Sequence, residues 1–176
     1  MTNQFRVDQC KTAILLLDYQ NQWLKSYSDE VQKEALGKAN EILTKARLEN
    51  ITIIYVEVIP SERSPELEIH PAIFPKPGEI VLIKRSVGPF STTNLEEILT
   101  RQDVDTLVLM GVGTSGCVLT TVRFAADMHY KLVVISDCCL DHDDEVQRVL
   151  MGKIFPRQAS VITAKQFLQA MGKSSQ

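Results

Sequence analysis

The sequence has no excess of positive charge and no long apolar run. Its 19 lysine and arginine residues are outnumbered by 22 aspartates and glutamates, which gives a formal net charge of −3. Proteins that bind nucleic acid or an anionic membrane surface normally carry a basic patch. No stretch approaches the roughly 18 apolar residues of a membrane-spanning helix, and the first residues lack the features of a signal peptide. We therefore expect a cytoplasmic protein whose partner is a small molecule, and neither a nucleic acid nor a membrane.

Cysteine and histidine are scarce as well. The cysteines are Cys10, Cys117, Cys138 and Cys139. They show no C-x-x-C spacing and no dense disulfide framework, so a reducing compartment suits them. His129 and His142 flank the fifth predicted strand at a spacing unlike that of metal ligands, and we interpret them as solvated or capping residues. The acidic run 141–145 opens a predicted helix, where acidic side chains interact favourably with the helix dipole.

Short apolar runs alternate with helical patterns along the chain. The runs are rich in β-branched residues, which is typical of strands covered on both faces. They span 12–18, 51–58, 79–84, 105–111, 131–137 and 159–163. The helical patterns span 29–49, 94–101, 116–129, 142–151 and 164–171. This alternation predicts an α/β fold, a three-layer α/β/α sandwich around a six-stranded, mostly parallel sheet. The length fits a single domain over 1–176.

One long segment between the second and third predicted strands fits neither pattern. Residues 59–78 contain five of the seven prolines, and proline interrupts both helices and central strands. The segment is therefore predicted to be a loop. In a compact domain such a loop is often an active-site cover, and a plain surface excursion is the alternative.

A glycine-rich turn follows the fourth predicted strand. Residues 111–116 match the pattern G-x-G-x-x-G, which in a dinucleotide-binding protein lets the backbone approach a pyrophosphate. Asp137 fits that interpretation, because an acidic residue is expected about 20 residues beyond the glycines. Such a turn normally belongs to the first βαβ unit of its domain, however. A dinucleotide-binding oxidoreductase stays as an alternative to a turn that positions Cys117.

Three reactive side chains follow predicted parallel strands. Asp18 ends the first strand, Lys84 ends the third, and Cys117 follows the fourth after the glycine turn. Because ligands bind beyond the carboxyl ends of parallel strands, we expect the three to converge on one site. A helix N-terminus and a nearby cation favour a thiolate, so Cys117 is the candidate nucleophile. Asp18 is the candidate proton acceptor and donor, with Lys84 holding both charges in place.

Residues beside these three positions are candidates for binding a substrate. Gly111 and Gly113 are expected to turn N–H groups toward a carbonyl oxygen under attack, while Thr114 and Ser115 can cap the following helix. The candidate pocket residues are Tyr19, Gln20, Trp23, Phe90 and Thr114. For the three aromatic residues the alternative is burial against a neighbouring subunit. For Gln20 the alternatives are orienting the Asp18 carboxylate and a structural hydrogen bond.

Three segments carry a family resemblance. In chain order they are "ILLLDYQNQW", "VLIKRSVGPFSTTNLEEIL" and "LVLMGVGTSGCVLTTVRFAADMHYKLVVISDCC". Together they resemble the isochorismatase-like cysteine hydrolase superfamily, which includes nicotinamidases and several small-amide and ureide hydrolases. The resemblance implies a Rossmann-like fold with a six-stranded parallel sheet, a triad of Asp18, Lys84 and Cys117, and self-association as a homodimer or homotetramer. It also implies a cis peptide bond between Val112 and Gly113, with the N–H groups of Gly113 and Cys117 binding the oxyanion.

Differences from individual subfamilies narrow the expected function. Isochorismatases that split a vinyl ether generally lack the nucleophilic cysteine, so Cys117 favours cleavage of an amide or ureide C–N bond through an acyl-enzyme. Nicotinamidases carry a metal site of an acidic residue and histidines after the second strand. Here Glu57, Glu62 and the single His70 provide no second histidine, so we expect neither a metal nor an organic cofactor. A vinyl ether hydrolase and a non-catalytic binding protein on the same fold stay as alternatives.

Overall fold

Six parallel strands form the centre of the fold. The computed structural model describes residues 7–59, 62 and 64–172. The strands are β1 (Thr12–Leu17), β2 (Thr52–Val58), β3 (Ile80–Lys84), β4 (Thr106–Val112), β5 (Lys131–Leu140) and β6 (Ser160–Ile162). They lie in the order β3-β2-β1-β4-β5-β6, and every neighbouring pair is parallel. The predicted α/β fold is confirmed, with a sheet that is wholly parallel.

Six α-helices accompany the sheet in the described part of the chain. They are α1 (Asn21–Leu24), α2 (Asp29–Leu48), α3 (Leu95–Arg101), α4 (Leu119–Asp127), α5 (Asp144–Val149) and α6 (Ala164–Met171). π-helical turns precede α4 and follow α5, at Thr114–Val118 and Leu150–Ile154. Among the described residues, no helix has the length and apolar character needed to cross a lipid bilayer.

The longest helix, α2, has a capped start and one apolar face, which explains why it packs on the sheet. The Ser28 hydroxyl caps its first turn by accepting a hydrogen bond from the N–H of Val31, at 3.4 Å. Its buried side chains recur at helical spacing and form one apolar stripe. They are Ala35, Leu36, Ala39, Ile42, Leu43 and Ala46. This stripe faces the sheet, where α2 contacts β5. On the same side of the sheet α2 also contacts α6. Right-handed crossovers place α3 and α4 on the opposite face.

The order of the strands determines where a ligand can bind. Successive strands are added in opposite directions on either side of β1, so β1 and β4 are neighbours that belong to different halves of the sheet. In parallel sheets a crevice opens at such a switch point, beyond the carboxyl ends of the strands. Asp18 directly follows β1 and Gly113 directly follows β4. The loops that carry the predicted reactive residues therefore meet at this crevice.

Within its described part, the predicted loop 59–78 contains two short 3₁₀ turns, at Pro65–Leu67 and Pro71–Ile73, and an isolated antiparallel β-bridge between Ile69 and Gln20. Three of its apolar side chains, Leu67, Ile69 and Ile73, are buried in the core. The remaining residues of this segment that the structure describes do not line the cavity at the switch point. Residues 60, 61 and 63 lie outside the described ranges.

Candidate active site

An open cavity of about 560 Å³ lies beyond the carboxyl ends of the strands. Its lining combines the predicted reactive residues with an apolar wall. The lining residues are Asp18, Trp23, Val58, Lys84, Arg85, Ser86, Val87, Val112, Gly113, Cys117 and His142. The structure thus brings Asp18, Lys84 and Cys117, which are far apart in the sequence, to one cavity.

A buried ion pair lies within this lining. The Nζ atom of Lys84 is 2.9 Å from Oδ2 of Asp18 and donates a second hydrogen bond to the backbone oxygen of Ser86, at 3.2 Å. Burial raises the pKa of Asp18, and the positive charge of Lys84 opposes that shift. The ion pair therefore holds a carboxylate in a place from which water is largely excluded.

The backbone of Asp18 is held in a conformation that few side chains adopt. Its φ angle is +57°, in the left-handed region that aspartate tolerates better than most residues. Its N–H donates to the backbone oxygen of Val56 at 2.9 Å, and its own backbone oxygen accepts from the N–H of Gln20 at 2.8 Å. These two bonds hold the residue where β1 ends. Strained backbone of this kind persists where surrounding contacts over-determine it, commonly at functional sites.

Cys117 lies inside the π-helical turn and is 4% exposed. Burial raises the pKa of its thiol, the negative charge of Asp18 raises it further, and the positive charge of Lys84 opposes both effects. The expectation of a favoured thiolate is therefore wrong, because desolvation outweighs the nearby cation. The Oδ1 atom of Asp18 is buried, and its geometry meets the criteria for a hydrogen bond with no described residue. The Asp18 carboxylate and the Cys117 thiol are nevertheless close enough for a side-chain hydrogen bond between them to lower the pKa of Asp18 and raise that of Cys117.

The turn after β4 differs from its expected geometry. The described chain contains no cis peptide bond, so the bond between Val112 and Gly113 is trans and the prediction of a cis bond is wrong. Gly113 makes the turn through a φ angle of +85°, which glycine adopts without steric cost. Its N–H donates to the backbone oxygen of Leu140 at 2.8 Å and is not directed at the cavity. In this geometry the Gly113 N–H does not contribute to an oxyanion site.

Gly111 has a packing role. A Cβ atom at this position would lie 2.6 Å from the backbone oxygen of Leu17 and 2.7 Å from its Cβ atom. Only glycine therefore lets β4 approach β1 this closely. The close approach brings the two strand ends together, and with them the loops that carry Asp18 and Cys117.

Trp23 alone among the five predicted pocket residues lines the cavity. Tyr19 is buried and its hydroxyl donates to the backbone oxygen of Cys138. Phe90 packs instead against Phe124 and Tyr130, with ring centroids 6.3 and 6.4 Å away. These aromatic side chains therefore stabilise the fold away from the cavity.

Gln20 and Thr114 are also removed from the cavity lining. The Gln20 side chain accepts from the N–H of Val58 at 2.8 Å and donates to the backbone oxygens of Val58 and Leu67. These bonds tie β2 to the loop after it, which is the structural alternative for Gln20. Thr114 is the first residue of the π-helical turn and is fully buried.

Several lining residues were not identified from the sequence. Arg85, Ser86 and Val87 directly follow β3, and His142 follows β5. The interpretation of His142 as merely solvated or capping missed its place at the cavity, where its ring stacks on Tyr27 with centroids 4.6 Å apart. The sequence feature that could have identified these four residues is their position just beyond the carboxyl end of a predicted strand.

The other candidate ligands have structural partners. Asp143 caps α5 by accepting from the N–H groups of Glu145 and Val146, which confirms the helix-opening interpretation of the acidic run. Asp137 forms an ion pair with Lys38 at 3.2 Å. In the dinucleotide-binding alternative this carboxylate would instead bind a ribose hydroxyl. The Nδ1 atom of His70 accepts from the backbone of a 3₁₀ turn. Within the described ranges, no three histidine, cysteine or acidic side chains are grouped as metal ligands would be.

Comparison with known proteins identifies the family. The family model described as "Isochorismatase domain" matches residues 12–166. The uncharacterized isochorismatase family protein YwoC of Bacillus subtilis is 26% identical over 96% of this chain and 98% of its own. A maleamate amidohydrolase of Pseudomonas putida is 30% identical over 57% of this chain and 47% of its own. A cysteine hydrolase structure from Pseudomonas syringae pv. phaseolicola shares the fold, with a TM-score of 0.88 at 19% identity, covering 99% of this chain and all of that one. The chain belongs to the isochorismatase domain family of hydrolases.

Proposed function

We propose that this protein hydrolyses a C–N bond in a small amide or ureide, with Cys117 as the nucleophile. The observation that carries the proposal is the buried ion pair between Asp18 and Lys84, at 2.9 Å, in the same cavity lining as the Cys117 thiol. A thiol beside a carboxylate can lose its proton as it attacks, and a lysine can stabilise the charge that develops. The similarity to a maleamate amidohydrolase supports the choice of an amide bond.

The first step begins from a neutral thiol, because burial raises the pKa of Cys117. As the sulfur attacks the substrate carbonyl carbon, its proton moves to Oδ1 of Asp18. An S–C bond forms, and the carbonyl electron pair moves onto the oxygen. The ammonium group of Lys84 stabilises the negative charge during the transfer. We assign the oxyanion contact to the backbone N–H of Cys117, since the Gly113 N–H is bonded to β5.

The second step releases the nitrogen. The C–N bond breaks as the leaving nitrogen takes the proton from Asp18, and a thioester on Cys117 is left behind. Water then attacks this thioester while Asp18 accepts one of its protons. The S–C bond breaks, the product leaves as a carboxylic acid from an amide or as a carbamic acid from a ureide, and Cys117 recovers its proton from Asp18. Asp18 therefore acts alternately as base and acid, and the cycle requires no other reactant than water.

Ammonia release from a panel of small amides, ureides and carbamoyl compounds tests this proposal. Cys117→Ser is expected to lower the rate of every accepted substrate by at least about a thousandfold, as loss of a nucleophile does. Cys10→Ser, which changes an exposed cysteine, is the matched control and should keep the full rate. Undiminished ammonia release by Cys117→Ser would exclude Cys117 as the nucleophile of the C–N cleavage. Binding of the panel compounds without any turnover would favour a non-catalytic protein.

A further inference from the structure

The guanidinium group of Arg85 lies at the cavity without a partner among the residues that the structure describes. Arg85 is exposed and lines the cavity, and its side chain makes no hydrogen bond or ion pair with any residue in the described ranges. Two other arginines differ in this respect, since Arg47 binds Glu79 at 2.7 Å and Arg101 binds Glu97 at 2.6 Å. The exposed Arg157, which does not line the cavity, resembles Arg85 in having no side-chain partner within the described ranges. A positively charged fork of hydrogen-bond donors is therefore available to whatever enters the cavity.

The backbone beneath this side chain is held in place. The N–H of Arg85 donates to Oγ1 of Thr92 at 3.1 Å, and the hydroxyl of Ser86 donates to the backbone oxygen of Gly88 at 2.7 Å. Gly88 is packed so closely on α4 that an added Cβ atom would lie 2.6 Å from Cγ2 of Thr120. The guanidinium group thus extends from a fixed base beside the Asp18–Lys84 ion pair.

The charges that line the cavity do not balance. Asp18 and Lys84 form an ion pair with one another, and burial raises the pKa of the Cys117 thiol, which favours its neutral form. Asp141 precedes the lining residue His142 but does not itself line the cavity, and its carboxylate accepts from the N–H groups of Ser115 and Asp143. The lysine, arginine and acidic side chains in the lining are Asp18, Lys84 and Arg85, and of these only Arg85 lacks an ion-pair partner in the described part of the chain. The cavity therefore presents one positive charge to a ligand.

We propose that Arg85 binds a carboxylate of the substrate, so that the preferred substrates are small amides or ureides that also carry a carboxylate. The guanidinium fork matches a carboxylate through two parallel hydrogen bonds. The apolar wall of Trp23, Val58 and Val87 then contacts the carbon atoms between the two ends of the molecule. This proposal rests on the proposed function for the amide end, and it makes Arg85 a specificity-determining residue.

Alkylation of Cys117 tests the charge preference without any knowledge of the substrate. Iodoacetate and iodoacetamide react alike, the sulfur bonding to carbon as iodide leaves and the thiol proton passing to solvent, but only iodoacetate is an anion. We expect Arg85→Gln to lower the ratio of iodoacetate to iodoacetamide rates at Cys117 by about fivefold, because it removes the attracting charge. Arg101→Gln removes the same charge from the opposite edge of the sheet and should leave the ratio unchanged. The exposed Cys10 provides an internal reference in every digest.

A substrate pair provides the second measurement. Succinamate and succinamide differ only in a carboxylate against a second amide, and wild type should prefer succinamate in kcat/KM by about tenfold. Arg85→Gln should remove that preference by lowering only the succinamate value. An unchanged alkylation ratio together with an unchanged substrate preference in Arg85→Gln would overturn the proposal. A lowered alkylation ratio without hydrolysis of either amide would support anion binding by Arg85 and count against the proposed hydrolysis.

Discussion

Replacing Asp18 by asparagine separates the two effects that its carboxylate has on Cys117. In the proposed mechanism the carboxylate accepts the thiol proton during turnover, and its negative charge also raises the pKa of that thiol. Asparagine keeps nearly the same shape and an oxygen that can accept from Lys84, but it carries no charge and is a poor base. The structure therefore predicts opposite changes in two rates. Alkylation of Cys117 at neutral pH becomes faster, and hydrolysis becomes slower.

The sizes of the two changes follow from ordinary charge effects. Removing one adjacent negative charge lowers a pKa by about one unit or more, which raises the thiolate fraction about tenfold at a pH below the pKa. The thiolate loses nucleophilicity as its pKa falls, with a Brønsted coefficient of about 0.4–0.5. The net gain in alkylation rate is therefore about threefold for each unit. Loss of the base should slow hydrolysis by about 10²–10⁴-fold.

Both rates are measured on the same preparations. The rate of iodoacetamide addition to the Cys117 peptide is followed by mass spectrometry, and hydrolysis is followed by ammonia release. Asp103→Asn is a matched control, because Asp103 also has a left-handed backbone, with a φ of +54°, and also pairs with a lysine. Circular dichroism confirms folding, since a buried lysine without its partner can cost about 3–5 kcal/mol. If Asp18→Asn slowed both reactions to the same extent, the assigned roles would be refuted.

Two further substitutions test the ion pair and the close strand contact. Lys84→Met removes the charge that lowers the pKa of Asp18; since Asp18 must be ionised to accept a proton, the acid limb of residual kcat/KM should move to higher pH. A midpoint that stays in place or falls would contradict this sign. Gly111→Ala would place a Cβ atom 2.6 Å from the Leu17 backbone oxygen and should lower the free energy of unfolding by about 1–3 kcal/mol. Gly116→Ala, whose added Cβ would lie 4.0 Å from Cγ1 of Val87, should change the free energy of unfolding by under about 0.5 kcal/mol in the same denaturant titration.

The strands were predictable because a strand that is buried on both faces has a simple sequence pattern. Every residue of β1 and β4 is buried, so each appears in the sequence as an unbroken apolar run. The shortest helix, Asn21–Leu24, was not predicted, because its N-cap Gln20 makes no side-chain cap and four residues carry no periodicity. The π-helical turn at Thr114–Val118 was not predicted either, since the sequence indicated an ordinary helix from residue 116 onwards with Thr114 and Ser115 as capping residues. It depends on the left-handed Gly113 that precedes it, which a helical pattern does not record.

The meeting of the reactive residues was predictable from topology. Parallel strands bring their carboxyl ends to one edge, so Asp18, Lys84 and Cys117 could be assigned to one site before any coordinates were known. The ionisation of Cys117 could not be predicted in this way. A helix start and a nearby lysine are visible in the sequence, but the depth of burial that outweighs them depends on packing.

The pocket lining was the least predictable part of the site. Tyr19 and Trp23 are separated by four positions, yet only Trp23 lines the cavity, while Tyr19 is buried in the core. Residue type alone does not say which way a side chain after a strand will point. Arg85 and His142 were missed for the same reason, although both lie just beyond a strand end.

Detection of an acyl group on Cys117 during turnover tests the central claim most directly. An accepted amide or ureide from the panel is mixed with the protein, quenched in acid during the first turnovers, digested and analysed by mass spectrometry. The account predicts that the peptide containing Cys117 gains the mass of the substrate acyl group, that the gain disappears once substrate is exhausted, and that Cys117→Ser neither gains it nor releases ammonia. An acyl group on a different residue, or ammonia release at the wild-type rate from Cys117→Ser, would contradict the assignment of Cys117 as the nucleophile.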